Sequence, residues 1–338
     1  LEIRKRKAHM EANFHEEYYN DNINWICVGL TYDLPKRNDF ILYKGYGHNI
    51  FIQNNGDEIE AYSNICLHRS ASIFQQQSGN GRAICPYHGW FYKQGKCTQT
   101  KKELAKYKVV LAGDFIFLEL NKTDQALSAY LGEFYFLLQT ISSRFQASEF
   151  MNKSLKIKSS VNLVLENVLE CQHCLHIHKS TLGPIGMGQG MPKDHITYGR
   201  HDKISYPLTI SANRRVPQDI SILRDESFVY DHLFVYPNLL VSITNNEFVY
   251  IGVLSSNSLN TETYISARGL LLRGLDPNDR KIKAFYSMSW SNTLKVLEED
   301  RIIVEDQFGN FINFNAMNNN FAFGEDRIKN QKNKQKQK

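Results

Sequence analysis

Cysteine is scarce in this chain, with six residues among 338. That is too few for a disulfide framework and fits a reducing compartment. Long apolar runs are missing, and no stretch approaches the ~20 residues that span a bilayer. The amino-terminal residues are charged and have no apolar core of the kind a secretory leader carries. The expectation is a cytoplasmic chain with no membrane partner. Internal repeats are also missing. There is no strong excess of one charge: the net value is +5. Lys329, Lys332, Lys334, Lys336 and Lys338 match that value by themselves, and Arg4, Lys5, Arg6 and Lys7 against Glu2 add three more, so about −3 is left for residues 8–328. A basic face that would demand nucleic acid is therefore not expected. The Lys/Gln/Asn-rich end reads as a solvated tail. Gly183-Pro184-Ile185-Gly186-Met187-Gly188-Gln189-Gly190 is glycine-rich, but it lacks the preceding strand and following helix of a dinucleotide fingerprint. It reads instead as a mobile loop. Nothing else suits nicotinamide or flavin, so electrons for any redox chemistry must come from another protein.

Four residues stand out against this background. Cys66-Leu67-His68 and Cys85-Pro86-Tyr87-His88-Gly89-Trp90 each pair one thiol with one imidazole. One Cys and one His from each of two loops is the ligand set of a [2Fe–2S] centre in which two imidazoles replace two thiolates on one iron. A structural zinc site also uses two Cys and two His, but it usually places the two Cys together and then the two His. A Cys66–Cys85 disulfide would leave both His unexplained. The surroundings read as short strands with glycine turns. Phe40–Tyr43 and Ile50–Ile52 are strand-like, Asn55-Gly56 is a hairpin signal, and Glu58–Tyr62 alternates polar with apolar residues. Gly79-Asn80-Gly81 and Gln94-Gly95 punctuate the rest. A small antiparallel β domain over residues 24–121 is expected.

About 200 residues follow, and at roughly 150 residues per domain the length suggests two domains. Val161–His178 is predicted as one helix. Asn162, Glu166, Glu170 and His173 would share a face, with His178 five residues beyond His173. A solvated polar stripe would hold Lys, Gln or Ser as often; this one holds groups able to bind metal or carry protons. Two His and one carboxylate with open positions form the facial triad of non-haem Fe(II) enzymes. His176 is an alternative partner for His173. Cys171 and Cys174 form a Cys-x-x-Cys, but no second pair completes a zinc site, and both read most simply as small buried helix residues. A distant carboxylate should complete the set. Trp290, Leu294, Leu297, Val304 and Phe308 make an apolar stripe at helical spacing, and Asp300 falls within it. Burying a carboxylate there is costly unless it is paired or binds a metal. Glu298 and Glu299 are its competitors and are expected to be solvated.

The two loops resemble the cluster loops of Rieske non-haem iron oxygenases, the terminal components of ring-hydroxylating and demethylating systems. Ser70 departs from the family's usual Gly. Asn167–His173 with His178 resembles the family's second motif, although Val161-Asn162 stands where the family has Trp-Lys. Glu298–Gln307 resembles its last motif. The resemblance runs from Trp25 to about Asn313. It implies an α+β fold, with a small antiparallel Rieske domain and a helix-grip catalytic domain over residues 122–325, flanked by a basic arm at 1–23 and a tail at 326–338. It implies a Rieske [2Fe–2S] cluster on Cys66, His68, Cys85 and His88, and a mononuclear Fe(II) on His173, His178 and Asp300. Glu170 would be the carboxylate that bridges the two metal sites. Many members have Asp there; Glu occurs in a subset that includes oxygenases of quaternary amines. Also implied are a homotrimer, a separate reductase or ferredoxin, and a small-molecule substrate that is hydroxylated or oxidatively demethylated with O2. Aromatic cis-dihydroxylation and a non-enzymatic electron carrier stay open as alternatives.

Overall fold

Tight turns set the first half of the molecule. Tyr46-Gly47 and Gln94-Gly95 both have positive φ at their two central positions (47° and 75°, 47° and 76°). That pair of values is the mirror-image turn whose twist matches two antiparallel strands. The first turn joins Asp39–Gly45 to His48–Asn54, and the second joins Tyr92–Lys93 to Lys96–Cys97. Asn55-Gly56 lies in the hairpin that the sequence signals: Asn54 pairs with Ile59, and Asn55 N–H donates to the Glu58 carbonyl at 3.0 Å.

The computed structural model describes residues 23–187, 191–209, 216–223, 228–257, 259–314 and 327–328. The basic arm, part of the Gly183–Gly190 loop and all but two residues of the Lys/Gln-rich tail lie outside the described residues. The chain divides into one compact unit over Asn22–Ser142 and a second that begins at Ser143. The helices Leu127–Leu131 and Glu133–Arg144, which lie within the span 122–325 expected for the catalytic domain, therefore fall largely in the first unit.

In the first unit, five antiparallel strands run in the order Ser78–Asn80, Asp39–Gly45, His48–Asn54, Ile59–Ser63, Lys106–Tyr107. A second sheet pairs Trp25–Leu30 and Val109–Ala112 with the central strand Phe115–Glu119. Phe40, Phe51, Tyr62 and Phe74 fill one core, with Phe40 stacked on Phe74 at 3.9 Å. Asn64, fully buried, anchors the chain just before the first Cys/His loop. Its amide donates to the Phe74 carbonyl and its oxygen accepts the Phe74 N–H, both at 2.8 Å.

The second unit is a seven-stranded antiparallel sheet carrying helices, which makes the fold α+β as expected. Its strands run in the order Phe145–Ile157, Thr263–Leu272, Phe248–Ser256, Leu239–Thr244, Val229–Val235, His201–Pro207, Asp194–Tyr198. Val229–Val235 is one strand, in continuous register with a neighbour on each side, and Thr263–Leu272 is another, in continuous register with Phe248–Ser256 while its pairing with Phe145–Ile157 shifts between Ala147 and Asn152. The 35-residue helix Arg280–Phe314 starts at Asp279, whose carboxylate accepts the N–H groups of Lys281 and Ile282. It packs on the edge strand Phe145–Ile157 and on Phe248–Ser256, and Tyr286 donates to the Glu247 carbonyl at 2.8 Å.

The predicted helix over Val161–His178 is a correction: it ends at Leu169. Ser160 caps its start and accepts the Leu163 N–H. Glu170 is extended (φ −111°, ψ 158°), and a separate 3-10 turn, Gln172–Leu175, follows. The reason is local competition for backbone donors. The Glu170 carboxylate accepts the N–H groups of Gln172 (2.6 Å) and His173 (3.3 Å), which an uninterrupted helix would have pointed at carbonyls. Among the described residues, no helix is long and apolar enough to cross a membrane.

Candidate metal centres

The two Cys/His loops are conformational copies of each other. Cys66 N–H donates to the Ala71 carbonyl and Ser70 N–H returns to the Cys66 carbonyl, both at 2.9 Å. Cys85 N–H donates to Trp90 and Gly89 N–H returns to Cys85, at 2.8 and 3.0 Å. Each loop needs left-handed backbone at the residue four after its Cys. Gly89 supplies it at φ 71°, and Ser70 adopts it at φ 57° with a side chain that disfavours it. The departure noted at Ser70 thus leaves the loop's shape intact and costs backbone strain.

This geometry sorts the four side chains by depth. Cys66 and Cys85 are each 2 % exposed, whereas His68 and His88 are exposed. The His68 ring stacks on Trp90 at 4.7 Å and 5°, and it meets His88 at 4.6 Å. The Tyr92 hydroxyl lies 3.2 Å from Cys66 Sγ and accepts the Leu67 N–H at 2.9 Å. Burial opposes ionising Cys66. The Tyr92 hydroxyl, the N–H groups of His68 and Arg69 and the nearby Cys85 thiol outweigh that and lower its pKa. Two buried sulfurs and two outward imidazoles within one turn pair fit a cluster with one sulfur-ligated and one nitrogen-ligated iron.

The second centre assembles across long stretches of chain. His178 Nε2 lies 3.0 Å and His173 Nε2 3.5 Å from the same oxygen, Asp300 Oδ1. The outer nitrogens are taken by other carboxylates. His173 Nδ1 bonds Glu170 Oε1, and His178 Nδ1 bonds Glu299 Oε2 at 2.8 Å. Each outer N–H therefore points at a carboxylate, which leaves the Nε2 lone pairs facing inward. His178 Nε2 and Asp300 Oδ1 are buried and make no aligned hydrogen bond despite their short separation. Two inward acceptors 3.0 Å apart call for a cation between them. Donors at ~2.1 Å from a metal and at right angles to each other lie about 3 Å apart, so the spacing suits three neighbouring positions of an octahedral ion. Cys174 Sγ belongs to the same cluster, within 4.8 Å of the two imidazoles. Asp300 is the better third donor, since its oxygen lies 3.0 and 3.5 Å from the two Nε2 atoms and the Cys174 thiol lies against Cys171 instead.

Burial disfavours charging His173, but Asp300 and Glu170 outweigh it and raise its pKa to about 10. The same contest, with Asp300 and Glu299 as the carboxylates, raises His178. Burial works against ionised Asp300, and the two imidazoles overcome it and lower its pKa.

The structure thus brings His173, His178, Asp300 and Glu170 together, as the sequence suggests. Glu298 is exposed and ion-paired with Arg301. Glu299 is a correction: it is not a solvated competitor but the residue that fixes the His178 ring. Consecutive helix positions grip opposite edges of one imidazole, Glu299 at Nδ1 and Asp300 at Nε2. His176 is exposed. A cavity of about 410 Å³ opens beside the cluster, with Tyr206, Leu208, Tyr230, Leu240, Phe248 and Tyr250 among its walls. Arg327, assigned to the tail from sequence, is buried in this unit and lines the same cavity. It is held by Asp202 (2.9 Å from Nε) and His232 (2.9 Å from Nη1). No sequence spacing signals that contact.

Comparison with known proteins agrees with this geometry. Residues 24–109 match the family model of the Rieske [2Fe-2S] domain. The glycine betaine monooxygenase oxygenase subunit of Pseudomonas aeruginosa is 25% identical over 193 residues, which is 51% of this chain and 42% of that protein. The chain thus aligns with less than half the length of that relative. Among solved structures, a quaternary ammonium Rieske monooxygenase in complex with L-carnitine has a TM-score of 0.67 at 17% identity, covering 91% of this chain and 87% of that one. Naphthalene 1,2-dioxygenase bound to phenanthrene has a TM-score of 0.71 at 17% identity, covering 91% and 80%. The chain carries a Rieske [2Fe–2S] domain and shares the fold of Rieske non-haem iron oxygenases.

Two outcomes are expected. Ser70→Gly removes a side chain from a left-handed position and should stabilise the first unit by about 0.5–1 kcal/mol, read as a higher urea midpoint. Glu299→Gln should keep the fold and the labile sulfide content but weaken metal retention at His178 roughly 10–100-fold, read by competition with a chelator. An unchanged affinity would show that Glu299 does not orient the ring.

Proposed function

We propose that this chain is a terminal oxygenase that takes single electrons from a separate reductase or ferredoxin and uses O2 to oxidise an N-methyl group of a small amine. The observation that carries this reading is the convergence of His173 Nε2, His178 Nε2 and Asp300 Oδ1 on one buried point beside a mostly apolar cavity. Cys66, Cys85, His68 and His88 would hold the [2Fe–2S] cluster, and His173, His178 and Asp300 a mononuclear Fe(II). When bound, that iron supplies open positions for activating O2 with electrons delivered through the cluster.

The chain's own residues set the conditions for this chemistry. Glu170 and Glu299 hold the outer N–H of each imidazole and fix both rings and their tautomers. Tyr206, Tyr230, Phe248 and Tyr250 in the cavity wall supply apolar surface and aromatic rings of the kind that attract an alkylammonium group. The cavity size suits a molecule of modest dimensions. A glycine betaine monooxygenase subunit among the relatives and L-carnitine in a structural neighbour support a quaternary or tertiary N-methyl amine. The balance is one O2, two electrons and two protons per methyl group. One oxygen atom enters a C–H bond and the other leaves as water. The resulting N-hydroxymethyl group splits into the shorter amine and formaldehyde.

We further infer a homotrimer, in which Glu170 links His173 to His88 of the partner subunit. The electron path then runs through a carboxylate that is already bonded to the imidazole it serves.

The test uses the reduced, iron-loaded chain with a panel of N-methyl amines, methoxy compounds and aromatic acids, followed by O2 and mass analysis. Loss of one methyl group with formaldehyde is expected from an amine. Two oxygens added to an aromatic ring would overturn the substrate reading in favour of dihydroxylation. Two irons and two sulfides per chain, instead of three and two, would overturn it in favour of an electron carrier. Glu170→Gln should weaken metal retention at His173, as Glu299→Gln does at His178, and in the fully iron-loaded chain it should slow electron arrival at the second metal, seen as slower reoxidation of the reduced cluster in the presence of substrate.

A further inference from the structure

Among the described residues, Cys171 and Cys174 are the two thiols in the cavity wall, and nothing in the proposed chemistry uses them. Cys171 opens the 3-10 turn Gln172–Leu175, and the Cys174 N–H donates to its carbonyl at 3.2 Å. The turn places both side chains on one side, with their Sγ atoms 3.0 Å apart. That is closer than the roughly 3.5–4.0 Å at which non-bonded heavy atoms usually rest. A disulfide needs about 1 Å more closure. The other four thiols are set differently: Cys27 and Cys97 are buried in the first unit, and Cys66 and Cys85 belong to the cluster loops.

We propose that Cys171 and Cys174 form a reversible disulfide when hydrogen peroxide is released in the cavity, and that this bond loosens the metal site. The inference rests on the oxygenase reading for its oxidant: two electrons and two protons delivered to O2 without oxidation of substrate give hydrogen peroxide. In the step itself, two S–H bonds and the O–O bond break, one S–S bond forms, and two waters leave. The two sulfurs lose two electrons and the peroxide gains them. The mechanical link is short. His173 lies between the two cysteines, and its ring is held at one edge by Glu170 and faces Asp300 at the other. Pulling the two ends of its turn together moves that ring away from the point shared with His178 and Asp300. The chain would then shut down under peroxide and recover with a thiol reductant.

The experiment treats the full iron-loaded chain with hydrogen peroxide, then denatures it and alkylates the remaining thiols. Peptide mass should show Cys171 and Cys174 joined and protected from alkylation, with both freed by dithiothreitol. In parallel, iron loss to a chelator is followed together with labile sulfide, since cluster damage releases sulfide and loss of the mononuclear iron does not. Sulfide-independent iron loss should accelerate roughly tenfold or more after peroxide, the scale on which orienting a metal-bound imidazole matters. Dithiothreitol should reverse the effect, and both Cys174→Ser and Cys171→Ser should lack it. Thiols that stay alkylatable, or that gain oxygen instead of joining, would overturn the proposal. A disulfide that leaves iron loss as slow as in the serine variants would overturn its regulatory half. The peptide readout holds even for a chain that oxidises no amine, so it fails separately from the oxygenase reading.

Discussion

Three carboxylates, Glu170, Glu299 and Asp300, are folded around two imidazoles in a pocket largely withdrawn from water. Burying one carboxylate is expensive, and burying three within reach of each other requires compensating positive charge. Protons on His173 and His178 supply it when no metal is present, which is why both imidazoles are raised and His173 reaches about 10. A divalent cation at the point shared by the two Nε2 atoms and Asp300 Oδ1 would supply it better, because it satisfies the buried acceptors directly. Metal binding must therefore displace protons, and the site takes its cation more readily as pH rises toward the raised imidazole pKa values. The extended backbone at Glu170, the 3-10 turn carrying His173 and the long helix presenting Glu299 and Asp300 together all serve this one charge arrangement.

The two centres differ in how far apart along the chain their parts lie, and that difference decides what the sequence reveals. Each cluster loop closes on itself, with hydrogen bonds between residues four and five apart, so its ligands, its turn and its left-handed position fall within six consecutive residues. Spacing alone carries such a site. In the second centre His178 meets Glu299 across 121 positions, and Arg327 reaches Asp202 across 125. Asp300 is recognisable because a carboxylate interrupts an apolar stripe and because Glu298–Gln307 resembles a family motif. Glu299, one residue earlier, carries no such mark. Its role depends on the helix approaching His178 so that consecutive side chains reach both edges of the ring. The Arg327 contact is formed by sheet strands and a chain segment far beyond them, and no pattern of residue types announces it.

Periodicity misleads at Val161–His178 for a reason that belongs to Glu170. The apolar positions and the polar steps of four, four and three are those of a helix, and the first nine residues obey them. Glu170 then turns its carboxylate back onto the chain. The two oxygens divide the work: Oε2 accepts backbone N–H groups from Gln172 and His173, and Oε1 takes the His173 ring. A continuous helix would have kept Glu170 and His173 on one stripe, but it would have tied up those N–H groups internally. Breaking the helix lets a single side chain fix both the backbone and the imidazole of the same ligand.

That division also explains why the charge of Glu170 matters more than its length. Both partners of its two oxygens are N–H donors, so the group must accept at both ends. An amide at this position accepts at one end only and presents a donor at the other. Either the turn loses its backbone acceptor or the His173 Nδ1–H loses its carboxylate, and with it the bias that keeps the Nε2 lone pair inward. Position 170 therefore demands a carboxylate on local grounds alone, before any longer electron path is considered.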